Sequence, residues 1–284
     1  MRRGAALRQD AVPQLLSCSM NEEECLVSKY DMLVVLPTMP PERYDEAVVA
    51  ALAPYYSELE VPEYRDHEAA DPNDVYWVRV NKERGVLPDR ADLRWSEVAE
   101  VMNAWAGTVP GDDGHLYVDE AGRGYHLSTR NPRGEWDALS LRIGGPRLLH
   151  RPDAADDPLL ARYEYGEVPR HRDLLAGLPN RCDGGPRGLL DFEALRAAHE
   201  RLAGERHDAW VAGGEEPADW PFRFTEDRAG NLALARANAV PGYALLRLDG
   251  RWTDMREDGY LRDANAYLDA LDPESVVLDV SCHC

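Results

Sequence analysis

Apolar residues fall along this chain in short runs and helical stripes, separated by stretches rich in Pro, Gly and Asp. Order begins at Asp31. Residues 32–36 are continuously apolar and Pro37 closes them, the pattern of a buried strand. Pro40-Pro41-Glu42 reads as a proline-led helix entry with an acid in the first turn, after which Tyr44, Val48, Ala51, Leu52 and Tyr55 recur at helical spacing. Residues 59–64, interrupted by Pro62, predict an edge strand or a loop. Residues 75–80 are β-branched and aromatic and predict a strand. Asp92 stands where it would cap a helix whose apolar face is Leu93, Val98, Val101, Met102 and Trp105. Residues 115–118 and 125–128, joined through Asp119-Glu120-Ala121-Gly122, predict a β-hairpin, and residues 136–143 would extend its sheet.

Residues 144–190 hold only short apolar pieces and read as a loop-rich connecting region and hinge. Asp191 then caps a helix in which Phe192, Leu195, Ala198 and Leu202 make the buried stripe. Residues 213–230 read as loop. The chain closes with a strand over 243–248, a turn at Asp249-Gly250, a helix over 259–271 with Leu261, Ala264, Tyr267 and Leu268 inward, and a strand over 276–280. A strand–helix–strand ending that matches the opening favours one α+β domain over 30–284, a mixed β-sheet with helices packed on it. Residues 1–29 lack periodicity and read as a disordered tail, within which Met20 is an alternative start.

Charge narrows the partners. The 52 acidic against 32 basic residues give −20, which opposes adsorption to nucleic acid or anionic lipid because phosphate binding needs Lys and Arg. A protein or small-molecule partner is expected, with no direct nucleic acid and no membrane. Acidic clusters at 22–24, 71–74, 153–157 and 215–219 leave open an acidic mimic of nucleic acid, but each falls in a predicted loop and so reads as solvated surface. Five cysteines and no run approaching about 20 apolar residues predict a cytoplasmic protein with reduced thiols.

The stretch with most chemistry is 131–145, NPRGEWDALSLRIGG. Asn131 before Pro132 fits a local side-chain turn, Trp136 offers a flat surface with one donor for a ring or a partner, and Asp137 and Arg142 would fix polarity. Gly144-Gly145 would let backbone approach a ligand, and His126 in the neighbouring hairpin joins these as a binding candidate. Alternation sets Asp137 at the start of the apolar face, where it needs a partner, as a hydrogen-bond hub or as a functional carboxylate. Cys282-His283-Cys284 is a candidate zinc site, yet the period of two puts both cysteines opposite His283, and further ligands from Cys18, Cys25 or Cys182 would be needed. His171 with Asp173, and His199 with His207, read as exposed groups. Walker, G-x-S-x-G and H-E-x-x-H patterns are absent, and Gly122-x-Gly124 reads as a turn.

Three segments carry a resemblance. They are residues 30–64, then Gly122-Arg123-Gly124 with 128–132, Trp136-Asp137 and Gly144-Gly145, and finally residues 243–251 with the closing VVLDVSCHC. Together they resemble a family of proteins from actinobacteria and their bacteriophages for which no activity is established. The resemblance implies an architecture and no catalytic residues. Where many of that family carry Cys-x-x-Cys before the Gly-x-Gly, Tyr117 and Glu120 stand here, and Pro146-Arg147 replaces the usual Arg-Trp. The expectation is a soluble binding or interaction protein of bacterial accessory or phage type, without a required cofactor. The alternative is an enzyme acting on a small molecule or nucleotide derivative, its cleft between 122–145 and the C-terminal strand, with His126, Asp137, Arg142 and His283 as polar groups.

Overall fold

The computed structural model describes residues 29–70, 80–88, 92–112, 114–141, 146–163, 177–214 and 223–283. The fold is α+β, and its contacts divide the chain into two compact units. One comprises the described residues up to Tyr56 and from Glu135 onward, and the other is Ser57–Gly134.

The first unit is built on a mixed sheet. β1 (Lys29–Leu36) lies antiparallel to β11 (Val276–His283) and parallel to β9 (Ala244–Leu246). β10 (Trp252–Asp254) closes one edge beside β9, while β5 (Ala138–Ser140) and β8 (Gly184–Pro186) both pair with β11, giving the path β10-β9-β1-β11-β5 with β8 off it. Because Met32–Leu36 of β1 and Val276–Leu278 of β11 are apolar at every position, both sheet faces need cover. On one face Met32, Val34, Leu36, Leu278 and Val280 pack with Tyr44, Val48 and Leu52 of α1 (Tyr44–Leu52) and with Trp136. On the other, Leu33, Val35 and Val277 pack with Phe192 and Leu195 of α3 (Phe192–Val211) and with Ala264 and Leu268 of α5 (Tyr260–Asp269). α4 (Arg228–Asn238) lies against α3 through Ala203, Phe224 and Ala235.

The second unit holds α2 (Trp95–Ala106) and a small sheet in which β4 (Gly124–Ser128) pairs with β2 (Tyr64–Asp66) and β3 (Tyr117–Val118). Its core is Ala70, Leu87, Val98, Ala99 and Leu116. The predicted hairpin is therefore present, with Tyr117 opposite Tyr125.

Several expectations need correction. Residues 138–140 do not extend the hairpin's sheet. They pair with β11, where Leu139 sits opposite Cys282 and packs, half-buried, against the core on the α1 side of the sheet. The residue capping α2 is Arg94, whose N–H is taken by the Glu97 carboxylate at 3.1 Å, so Asp92 lies before the cap. Trp105 is 51% exposed and not on the inward face. Residues 228–230, expected as loop, begin α4. The 144–190 region is less loose than its composition suggests. β6 (Leu148–Leu149) pairs with β7 (Arg181–Cys182), and Leu148, Leu149, Leu160, Cys182 and Leu190 are core residues. Of the predicted strand at 75–80, residues 75–79 lie outside the described residues and Val80 opens a helical turn. The expected tail lies outside them too, save Lys29, which starts β1.

Candidate functional site

The 131–145 stretch is shared between the two units. Asn131 and His126 belong to the second and Trp136 and Asp137 to the first. Asn131 makes the local turn expected of it, its Oδ1 accepting from the Arg133 N–H at 3.0 Å. His126 Nδ1 lies 3.0 Å from the His115 carbonyl within its own sheet. Trp136 is a core residue, 1% exposed, with its ring 4.9 Å from that of Tyr56 and its Nε1–H donated to the Leu52 carbonyl at 3.0 Å. It anchors the end of α1 and has no face left for a ligand. Arg142, Gly144 and Gly145 lie outside the described residues.

Asp137 has found its partner in His283. The imidazole Nδ1 is 2.6 Å from Asp137 Oδ1, and the Asp137 N–H donates to the His283 carbonyl at 2.9 Å. The pairing of β5 with β11 brings them together, since Ala138 is directly opposite His283. Cys282 is buried on the α1 side of the sheet with its Sγ 3.5 Å from Met32 Sδ, so it faces away from His283 as the alternation requires. Cys284, Cys18 and Cys25 lie outside the described residues, and among the described residues no three His, Cys, Asp or Glu side chains gather to hold a metal. His171 and Asp173 lie outside as well, and of the acidic clusters only 153–157 is described. There Asp153 is paired with Arg151, and Asp157 accepts the Leu159 N–H.

On the sheet face away from α1 lies a buried ionic cluster that the sequence did not suggest. Arg147 Nε donates to Asp279 Oδ1 at 2.9 Å, and its Nη1 is 3.4 Å from Asp31 Oδ2. Burial opposes the guanidinium charge, but the two carboxylates outweigh it and raise its pKa. Gly242 is needed here. Its φ is +66°, and a Cβ would meet the Asp31 carbonyl at 2.8 Å and Arg147 Nη2 at 3.0 Å. Asp183 is bonded across from Asp279 through the Asp279 N–H, at 2.9 Å. Burial pushes the Asp183 carboxyl from 3.8 up to about 7, the Asp279 charge adding to it and the Tyr163 N–H opposing it. Burial lowers His199, on α3, from 6.5 to about 4, with Arg147 adding to the effect, so this residue is not the exposed histidine expected.

These two groups act on stability with opposite sign. The raised pKa of Asp183 gives stability that is full below 3.8 and lost as pH rises towards 7. The depressed pKa of His199 gives stability that is full above 6.5 and lost as pH falls towards 4. Between those limits, Asp183→Asn therefore makes stability rise with pH relative to the parent, and His199→Gln makes it fall. Urea unfolding midpoints across that window check this, and parallel curves for all three proteins would contradict it.

A concave feature of the first unit lies between the β9–β10 hairpin and α5, a cleft open to solvent with about 70 Å³ of room inside. Alternation builds its wall. Leu245 and Thr253 pair across the hairpin, and two residues on, past the register, Arg247 N–H donates to the Arg251 carbonyl at 2.9 Å. Asp249-Gly250 closes the loop, Gly250 supplying the φ of +78° that the turn demands. All four wall residues line the cleft, facing Tyr260, Asp263, Ala264 and Tyr267 of α5 and the Glu257-Asp258 turn. The Arg247 guanidinium lies 4.2 Å over the Tyr267 ring, and the Tyr267 hydroxyl is held by the Leu248 N–H at 2.8 Å. Arg251 is paired with Glu257 at 3.1 Å, and Asp263 with Arg262 at 2.8 Å. Arg247 differs from both. Its Nε is buried without an acceptor, and no carboxylate lies within ion-pair distance among the described residues.

No protein-family model, no curated protein and no solved structure matches this chain. The site must be judged on its own chemistry. A guanidinium stacked on a ring, with a desolvated donor and no internal acceptor, is prepared to receive an oxyanion. The sequence signal for it was Arg247-Leu248-Asp249-Gly250-Arg251, two arginines flanking an Asp-Gly turn and hence on one face of a hairpin. The turn was legible, but the significance of its arginines was not. Among the described residues, no helix is long and apolar enough to cross a membrane.

Proposed function

We propose that this chain is a binding protein for a small molecule bearing a single carboxylate, received by Arg247 in the cleft between the β9–β10 hairpin and α5. The observation that carries this is the buried Arg247 Nε without an acceptor. Arg247 as a whole is half-buried, and a carboxylate would give its unpaired Nε–H an acceptor through the paired N–H donors of the guanidinium. Glu257, Asp258 and Asp263 in the same lining disfavour a doubly charged anion such as a phosphate monoester. The test is thermal unfolding with a panel of small carboxylic acids. A ligand present at 100 times its Kd would stabilise the fold by about 2.7 kcal/mol. Arg247→Gln should abolish the stabilisation, and Arg247→Lys, which keeps charge but loses the fork, should weaken binding about tenfold or more. A panel without effect on the parent protein would remove the proposal.

A second reading rests on the 2.6 Å contact of Asp137 with His283. A carboxylate on Nδ1 fixes the imidazole tautomer and orientation, as in general-base pairs. It supports an enzyme acting on a small molecule or nucleotide derivative, with this pair moving a proton. Turnover of an ester panel that is lost in both Asp137→Asn and His283→Gln, at unchanged melting temperature, would favour it. An inactive parent protein, or full activity in either variant, would count against it.

A further inference from the structure

We infer that the molecule held by Arg247 also carries a protonated amino group, received by Asp258, so that the ligand is a small zwitterion of the amino-acid class; this rests on the carboxylate-binding proposal above. The charges in the cleft lining lead to it. They are two guanidiniums and three carboxylates, from Arg247, Arg251, Glu257, Asp258 and Asp263. Two of the acids are already engaged, Glu257 by Arg251 and Asp263 by Arg262. What remains is one cation and one anion. Arg247 lacks any carboxylate within ion-pair distance among the described residues, and Asp258 is an exposed carboxylate that makes no ion pair among them either.

Each simpler ligand leaves one of these groups unanswered. A plain carboxylate would satisfy Arg247 but bring its negative charge into a lining where carboxylates outnumber guanidiniums. A simple amine would suit Asp258 but be repelled by Arg247 and leave the buried Nε without its acceptor. A zwitterion satisfies both and adds no net charge. The rest of the lining sets its size and character. Leu245, Ala264 and the Tyr260 ring offer apolar surface for a side chain, and the room inside the cleft, about 70 Å³, suits only a small molecule.

Calorimetric titration tests this with the twenty common L-amino acids taken singly, their deaminated carboxylic acids and their decarboxylated amines. At least one amino acid is expected to bind, with its deaminated counterpart about tenfold or more weaker and its amine not detected, since losing a charged partner costs at least about 1.4 kcal/mol. Asp258→Asn should lower the affinity for that amino acid by about the same factor while changing the deaminated acid by less than about twofold. Circular dichroism would confirm that the variant keeps its fold, which substitution at an exposed turn should not disturb. Equal binding of amino acid and deaminated acid, or indifference to Asp258→Asn, would overturn the zwitterion inference and leave the carboxylate site standing. Binding of neither series would overturn both.

Discussion

Trp136→Ala lowers the free energy of unfolding by about 3–5 kcal/mol, the range for truncating a large buried aromatic. The side chain is 1% exposed and packs among Tyr44, Val48, Leu52 and Val280, so its removal leaves a cavity that sheet and helix cannot both close. A second loss comes at the end of α1. The last carbonyls of a helix have no partner inside it, and the indole Nε1–H satisfies that of Leu52 at 3.0 Å. Backbone bonds from Glu135 and Trp136 to the Tyr55 carbonyl, at 2.8 and 3.3 Å, clamp the same corner. Trp136→Phe separates the two contributions, because it retains most of the packing and should cost only about 1–2 kcal/mol through the lost hydrogen bond. Denaturant unfolding measures both. A cost below about 1 kcal/mol for the alanine variant would mean that Trp136 is not the core residue described here.

Arg147→Leu is expected to cost about 3–5 kcal/mol, because removing one member of a buried ion pair strands the other. Asp279 would be left with a carboxylate 6% exposed that has lost its 2.9 Å contact with the guanidinium. The pair itself need not be strongly stabilising, since burying two charges forfeits much of what their attraction returns. The double variant Arg147→Leu with Asp279→Leu should therefore recover most of the loss. A double variant as unstable as the sum of the two single changes would show that the residues act independently, contrary to the 2.9 Å contact.

The main elements were legible where the pattern is local. The continuous apolar run of β1, the proline-led entry to α1, the Asp191 cap of α3 and the Asp-Gly turn all appear as expected, because each depends on neighbours in sequence. α4 was not legible. Its buried residues are Asn231 and Ala235, and it is tied to its surroundings by Arg228–Asp208 and Arg236–Glu193. A helix whose inward face is Leu232 and small residues offers only a thin apolar stripe. The pairing of β5 was misjudged for a different reason. Alternation fixes which face a residue takes but not which strand lies beside it, so Asp137 could be seen to need a partner while His283, 146 positions away, could not be named. Nor does anything in the local pattern mark the boundaries at Ser57 and Gly134, which arise from how segments far apart in sequence pack. The cleft escaped notice on similar grounds. Arg247 and Arg251 beside a turn look like solvated charge until α5 closes Tyr267 against the first of them.

The most direct measurement is the nitrogen-detected or proton-correlated NMR signal of the Arg247 Nε–H, assigned by its loss in Arg247→Lys and followed while a carboxylate ligand from the thermal panel is added. Because this donor is buried without an acceptor, its proton should give a resolved resonance in the free protein and move downfield to saturation as the carboxylate takes it. A ligand that binds, by heat or by stabilisation, while the Arg247 signal stays where it was would place the site elsewhere and contradict the role assigned to this arginine.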